Sequence, residues 1–154
     1  MELTTRGRYA VMAMADLAQH DHTDPVTLTA ISGRQRLSLA YLEQLFSGLR
    51  RAGLVLSVRG RSGGYRLARL PSSIRLSEIL RAVSEETKMT LCSETSGRGC
   101  LGEERCITHK LWQSLGTHIA SFFSNVTLEE VVKGGPFNVG SDTRAHIQER
   151  VAAE

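Results

Sequence analysis

Only Arg36 and Leu37 lie between two stretches of helical periodicity. So short a connection forces the second helix to turn sharply from the first while staying in contact with it. The upstream stretch has Thr27 as N-cap, turns Leu28 and Ile31 inward and closes near Gln35. The downstream stretch, SLAYLEQLFSGLRRAG, offers Ser38 as N-cap, a buried stripe of Leu39, Leu42, Leu45, Phe46 and Leu49, and Gly53 as its terminating residue. Its opposite face carries Ala40, Tyr41, Glu43, Gln44 and Ser47, with Arg50 and Arg51 in the last turn. A helix-turn-helix lays its second helix in the major groove of DNA. Helical pairs with short turns are also common in proteins that never touch nucleic acid, so the flanking segments have to decide.

On the amino-terminal side, Ala10, Ala13, Met14, Leu17 and Ala18 recur at helical spacing between Thr4 and about Gln19. On the other side, LVLSV at 54–58 and YRLAR at 65–69 are β-patterned runs joined by RGRSGG, which predicts a hairpin with Arg59, Gly60 and Arg61 at its tip. Helix, helix-turn-helix and basic hairpin in this order make a winged helix. Charge agrees: residues 1–69 hold ten Arg against five acidic residues, while the remainder holds nine Lys and Arg against eleven. The basic excess sits on one half alone, and all ten cations there are Arg, which makes bidentate contacts to phosphates and guanine edges. Tyr9, Ser38, Tyr41, Glu43, Gln44, Arg50, Arg51, Arg59, Gly60 and Arg61 are the expected DNA-contacting set.

Past a linker at Pro71–Ser73, Leu76, Ile79, Leu80 and Val83 predict a helix ending near Lys88. An aperiodic stretch then carries Cys92, Cys100, Cys106 and His109, separated by seven, five and two residues. Beyond it Ile107, Leu111, Leu115, Ile119, Phe122 and Phe123 mark a long apolar helix, suited either to pack on its own copy in a two-fold dimer or to cover the first domain. Thr127 begins a short last helix that Gly134, Gly135 and Pro136 end. The expected organisation is therefore mainly α with a small β-hairpin wing: a winged helix-turn-helix over 1–72, a metal-binding loop and dimerisation helix over 73–134, and a mobile tail over 135–154.

Three thiols and an imidazole supply four ligands for zinc or for an iron-sulfur cluster. A Gly, Ser and Glu loop has no apolar interior in which to bury plain structural cysteines. The spacing is one residue from that of RNA-binding CCCH zinc fingers, yet no aromatic residue lies between Cys92 and His109, and Glu94, Glu103 and Glu104 repel a phosphate backbone. No apolar run is long enough to span a bilayer and no signal peptide opens the chain, so a cytoplasmic protein with free thiols and no membrane partner is expected. There is no paired acid and base, nucleophile motif or phosphate loop, and the glycine-rich GRSGGY sits between strands, so an enzyme is not expected.

The pieces LTTRGRYAVMAM, SLAYLEQLFSGLRRAGLVLSVRG, SGGY, and C-IT-HKLW running into NVTLEEVV resemble the IscR family of bacterial winged-helix regulators over roughly 1–134. The resemblance implies a homodimer with crossing long helices and a 2Fe-2S cluster on Cys92, Cys100, Cys106 and His109, supplied by the iron-sulfur cluster assembly machinery. It also implies binding to a double-stranded DNA operator, with repression of cluster-assembly genes when loaded. By motif position Tyr41, Glu43 and Gln44 read bases and Arg59 enters the minor groove. Glu43 accepts from cytosine N4 but repels phosphate, which lets it reject one operator class. The related nitric-oxide sensor NsrR, with three cysteines on a 4Fe-4S cluster, is the competing relative, and the SLAYLEQLF helix and His109 favour IscR. Three positions depart from the family's usual pattern. Seven residues stand where five usually separate the first two cysteines, Arg36 replaces a turn Gly, and Ala40 replaces a Ser. Arg36 costs ~1 kcal/mol if its backbone is left-handed.

Overall fold

The computed structural model describes residues 4–85 and 105–137. Helices α1 (Thr5–His20), α2 (Leu28–Gln35) and α3 (Leu39–Arg51) are followed by strands β1 (Val55–Val58) and β2 (Gly64–Leu67). A short 3-10 turn at Pro71–Ser73 leads into α4 (Leu76–Ala82), and α5 (His109–Asn125) and α6 (Leu128–Lys133) complete the described elements. The winged helix expected from the sequence is present.

The turn between α2 and α3 is closed by backbone geometry. Arg36 adopts φ 54°, in the left-handed region, and the Leu37 N–H donates to the Ser32 carbonyl at 3.2 Å. Thr27 caps α2 through its hydroxyl, which accepts from the Ala30 N–H at 3.1 Å. Ser38 stands at the N-cap position of α3 but makes no side-chain cap.

The stripes of the first three helices meet in one core in which Met14, Leu17, Ile31, Leu42, Phe46 and Leu49 are fully buried. Each such side chain contributes roughly 1.5–3 kcal/mol relative to exposure. The core continues past the wing: Ile74 and Ile79 on the α4 side, and Val126 and Leu128 around the start of α6, belong to the same cluster. Gly48 lets α3 and α4 touch, because a Cβ there would lie 2.6 Å from the Ala82 carbonyl oxygen.

Two carboxylates join these elements. Asp16 is buried on α1 and accepts from Arg34 at 2.6 Å and from Gln35 at 2.7 Å. Burial pushes its carboxyl up, but the Arg34 and Gln35 hydrogen bonds and the Arg34 charge outweigh this and hold it below its ordinary value. Asp21 accepts from the Leu67 N–H at 2.7 Å and from Arg66 at 3.1 Å, which fastens the wing to the end of α1. In the hairpin Val55 pairs with Leu67 and Val58 with Gly64, and Val26 bridges Tyr65 as a third antiparallel partner.

Three expectations are corrected. Leu39, assigned to the buried stripe of α3, is 40% exposed, because it opens the helix at the edge of the stripe before the core begins. Helix α4 ends at Ala82, well before Lys88, since Ser84 turns left-handed at φ 56° and the Glu85 N–H returns to the Leu80 carbonyl at 2.9 Å. Ile107 precedes α5 and is fully solvent-exposed, so it takes no part in that helix's stripe. Of the tail placed at 135–154, residues 138–154 lie outside the described residues.

Candidate nucleic-acid interface and metal centre

Along α3 the polar candidates fall on one side of the helix. Ser38, Glu43, Gln44, Arg50 and Arg51 are exposed, and Tyr41 is half-buried. Tyr9 of α1 meets Tyr41 edge to face with ring centroids 6.0 Å apart, so two candidates from separate helices form one surface. At the wing tip Arg59 and Arg61 are exposed beside Gly60, whose φ of 116° is open to glycine at little cost. Phe46 packs against Tyr65 at 4.8 Å, which fixes the base of the wing on the recognition helix.

A shallow cavity of about 200 Å³ opens along the Tyr41, Gln44, Gly48 and Arg51 row of α3, with Arg6 as its opposite cationic wall. Arg6 was not among the expected contacts. The signal was available, since it lies one helical turn before Tyr9. Two guanidiniums, a phenol and an amide around one hollow suit the contacts that phosphates and base edges accept.

Of the four candidate metal ligands, Cys92 and Cys100 lie outside the described residues. Cys106 and His109 are brought together at the start of α5. The His109 N–H donates to the Cys106 carbonyl at 3.0 Å, the imidazole is buried, and the thiol is half-buried. Thr108 lies between them, its hydroxyl oxygen 3.5 Å from Cys106 Sγ. The Trp112 indole N–H donates to that same oxygen at 3.2 Å. The Thr108 hydroxyl thus stands between the indole and the sulfur, in contact with both. A cysteine sulfur and an imidazole one turn apart fit a soft or borderline metal, iron or zinc.

The face of α5 is largely open. Only His109 of the helix is buried, with Leu111 59% and Trp112 38% exposed and Phe122 and Phe123 half-buried. Among the described residues no helix is long and apolar enough to cross a membrane.

Residues 3–134 match the Rrf2 family, described as an iron-dependent transcriptional regulator. The HTH-type transcriptional regulator IscR of Erwinia tasmaniensis is 49% identical over 142 residues, 92% of this chain and 85% of the relative. The regulator of the same name from Vibrio campbellii is 52% identical, over 86% of this chain and 78% of the relative. Among solved structures, CymR, the global cysteine regulator of B. subtilis, is similar with a TM-score of 0.75 at 31% identity, covering 88% of this chain and 98% of that one. The IscR of T. potens has a TM-score of 0.69 at 37% identity, with 87% and 88% covered. The chain is a winged-helix transcriptional regulator of the Rrf2 family.

Proposed function

We propose that the chain is a cytoplasmic iron-sulfur cluster-sensing repressor, a homodimer that binds an operator in double-stranded DNA and controls cluster-assembly genes. Cys92, Cys100, Cys106 and His109 hold a 2Fe-2S cluster received from the assembly machinery. The observation that carries this reading is the Cys106 and His109 pair at the start of α5, in a chain about half identical to regulators named IscR. When bound, the cluster supplies a redox- and supply-sensitive centre whose presence reports iron-sulfur status. The chain's own part is to position the Cys106 sulfur beside Thr108, itself held by Trp112, and the imidazole in the first turn of α5.

On the DNA side, Tyr41, Glu43 and Gln44 read base edges, Arg59 enters the minor groove, and Tyr9, Ser38, Arg50, Arg51, Gly60 and Arg61 fix the register. The open face of α5 packs on its copy, which removes the exposed Leu111 and Trp112 from water. The test is a visible spectrum of anaerobically purified protein with an iron and zinc assay. The reading requires a coloured, iron-loaded protein, and a colourless zinc-loaded one overturns it in favour of a zinc-stabilised module. Replacing Cys92, Cys100 or Cys106 by Ala removes the colour and leaves the dimer. Glu43→Ala relaxes discrimination between operators in a binding assay.

A further inference from the structure

Glu85 is the last residue before the segment that carries Cys92 and Cys100, and its carboxylate reaches across the fold to the beginning of α1. Oε1 accepts from the Thr4 N–H at 2.8 Å, Oε2 accepts from the Thr4 hydroxyl, and the Gly7 N–H also donates to the carboxylate. These groups are 81 positions apart in sequence for Thr4. Thr4 stands at the N-cap of α1 yet makes no side-chain cap to its own helix. A Thr there ordinarily accepts from the N–H two or three residues inside. Gly7 is that third residue, so Glu85 has taken over a cap that a local side chain would have supplied.

Nothing in helix stability alone requires this exchange. Its effect is to tie the two segments together. Ser84 holds the left-handed turn that aims Glu85, at a cost for a residue with a Cβ. Gly7 is buried, and a Cβ there would lie 2.8 Å from Glu85 Cγ and 3.0 Å from Leu80 Cδ2, so glycine leaves the space that the carboxylate uses. The turn so fixed contains Arg6, and one turn on is Tyr9, in ring contact with Tyr41. Residues 82–84 and Arg6 are themselves walls of the cavity beside Gln44 and Arg51.

We propose that Glu85 is a positioning residue for operator reading: it sets the first turn of α1 against the recognition helix, and the state of the ligand-bearing segment reaches the DNA face through it. The second half of this statement rests on the cluster reading above; the first does not. The experiment uses the full chain and a duplex selected by the wild-type protein from a random library, and compares wild type, Glu85→Ala, Glu85→Gln and Gly7→Ala.

In cluster-free protein, Glu85→Ala speeds hydrogen exchange at the Gly7 and Arg8 amides by about tenfold or more while the Leu42 to Leu49 amides stay protected. It also narrows the preference for the selected duplex over a scrambled one by a similar factor, which a loss of helix stability alone would not move. Gly7→Ala, which displaces the carboxylate without removing it, reproduces both effects. Glu85→Gln keeps an acceptor oxygen and recovers part. Unchanged exchange or unchanged preference in both Glu85→Ala and Gly7→Ala overturns the proposal. In iron-loaded protein the affinity ratio between loaded and cluster-free forms, on the order of 5–150-fold for a coupled pair of sites, falls to about twofold in Glu85→Ala. A ratio that survives at full iron content refutes the link to the cluster, whereas wild-type protein without iron refutes the cluster reading and leaves the first half to stand on exchange and preference.

Discussion

Helices α3 and α5 are both amphipathic, but their apolar faces meet different fates. In α3 Leu42, Leu45, Phe46 and Leu49 are buried by α1, α2, the wing and α4. In α5, the longer of the two, His109 alone is buried, and Leu111 and Trp112 face solvent. An apolar stripe predicts that something covers it and leaves open what does. Among the described residues, the cover for α3 is complete and that for α5 is not, which is the physical basis for the proposal that α5 packs on a second copy.

The largest effect should come from the closed side of this contrast. Phe46→Ala removes a fully buried ring and is expected to cost about 3–5 kcal/mol in denaturant unfolding, compared with wild type at the same protein concentration. Next is Asp16→Ala, expected to cost about 2–3 kcal/mol, below the range for a fully buried pair because Arg34 is partly exposed and can rehydrate. Its pH signature follows from the lowered pKa. The stabilisation is complete above the ordinary value of 3.8 and disappears as pH falls through the lower folded value, so wild type and variant should converge in stability only in acid.

On the open side, Leu111→Ala should leave monomer stability nearly unchanged and weaken self-association by about 1–2 kcal/mol, roughly tenfold, measured by sedimentation. A wild-type chain that stays monomeric at high concentration would break the comparison, because the face of α5 would then have no partner to lose. The smallest effect is reserved for the exception within α3: Leu39→Ala should change stability by no more than about 0.5 kcal/mol in denaturant unfolding, since its side chain is already exposed at the edge of the core.

The helix-turn-helix was legible because its signals are local: Thr27 and Gly53 punctuate, and Leu42, Leu45, Phe46 and Leu49 repeat at the helical period. Leu39 obeyed the same period and was misplaced, because periodicity gives an angle around the helix and not the point along it where the core begins. The left-handed backbone of Arg36 realises the cost that a residue with a Cβ was expected to bring to that turn. The ties that orient the elements were not legible. Asp16 with Arg34, Asp21 with Leu67 and Glu85 with Thr4 each join residues far apart in sequence, and no spacing rule connects them. One clue did exist, an Asp at position 16 beside Met14 and Leu17, where a charge survives burial only with a partner. At the candidate metal centre, the cysteine and histidine spacing nominated Cys106 and His109, but the contacts of Thr108 and Trp112 depend on an indole reaching back one turn.

The short backbone ladder where Arg75 faces Thr127, with the Leu76 N–H on the Val126 carbonyl and the Leu128 N–H on the Ile74 carbonyl, pinches the chain into a ring of some fifty residues. Inside that ring α4 is packed into the core and Glu85 is tied to Thr4, so the residues 86–104 that carry Cys92 and Cys100 form a smaller loop within it. The entropy of closing a loop grows only with the logarithm of its length, so two extra residues in a loop of about twenty cost about 0.1 kcal/mol in chain entropy. Lengthening of that segment is therefore almost invisible to the stability of the DNA-binding core.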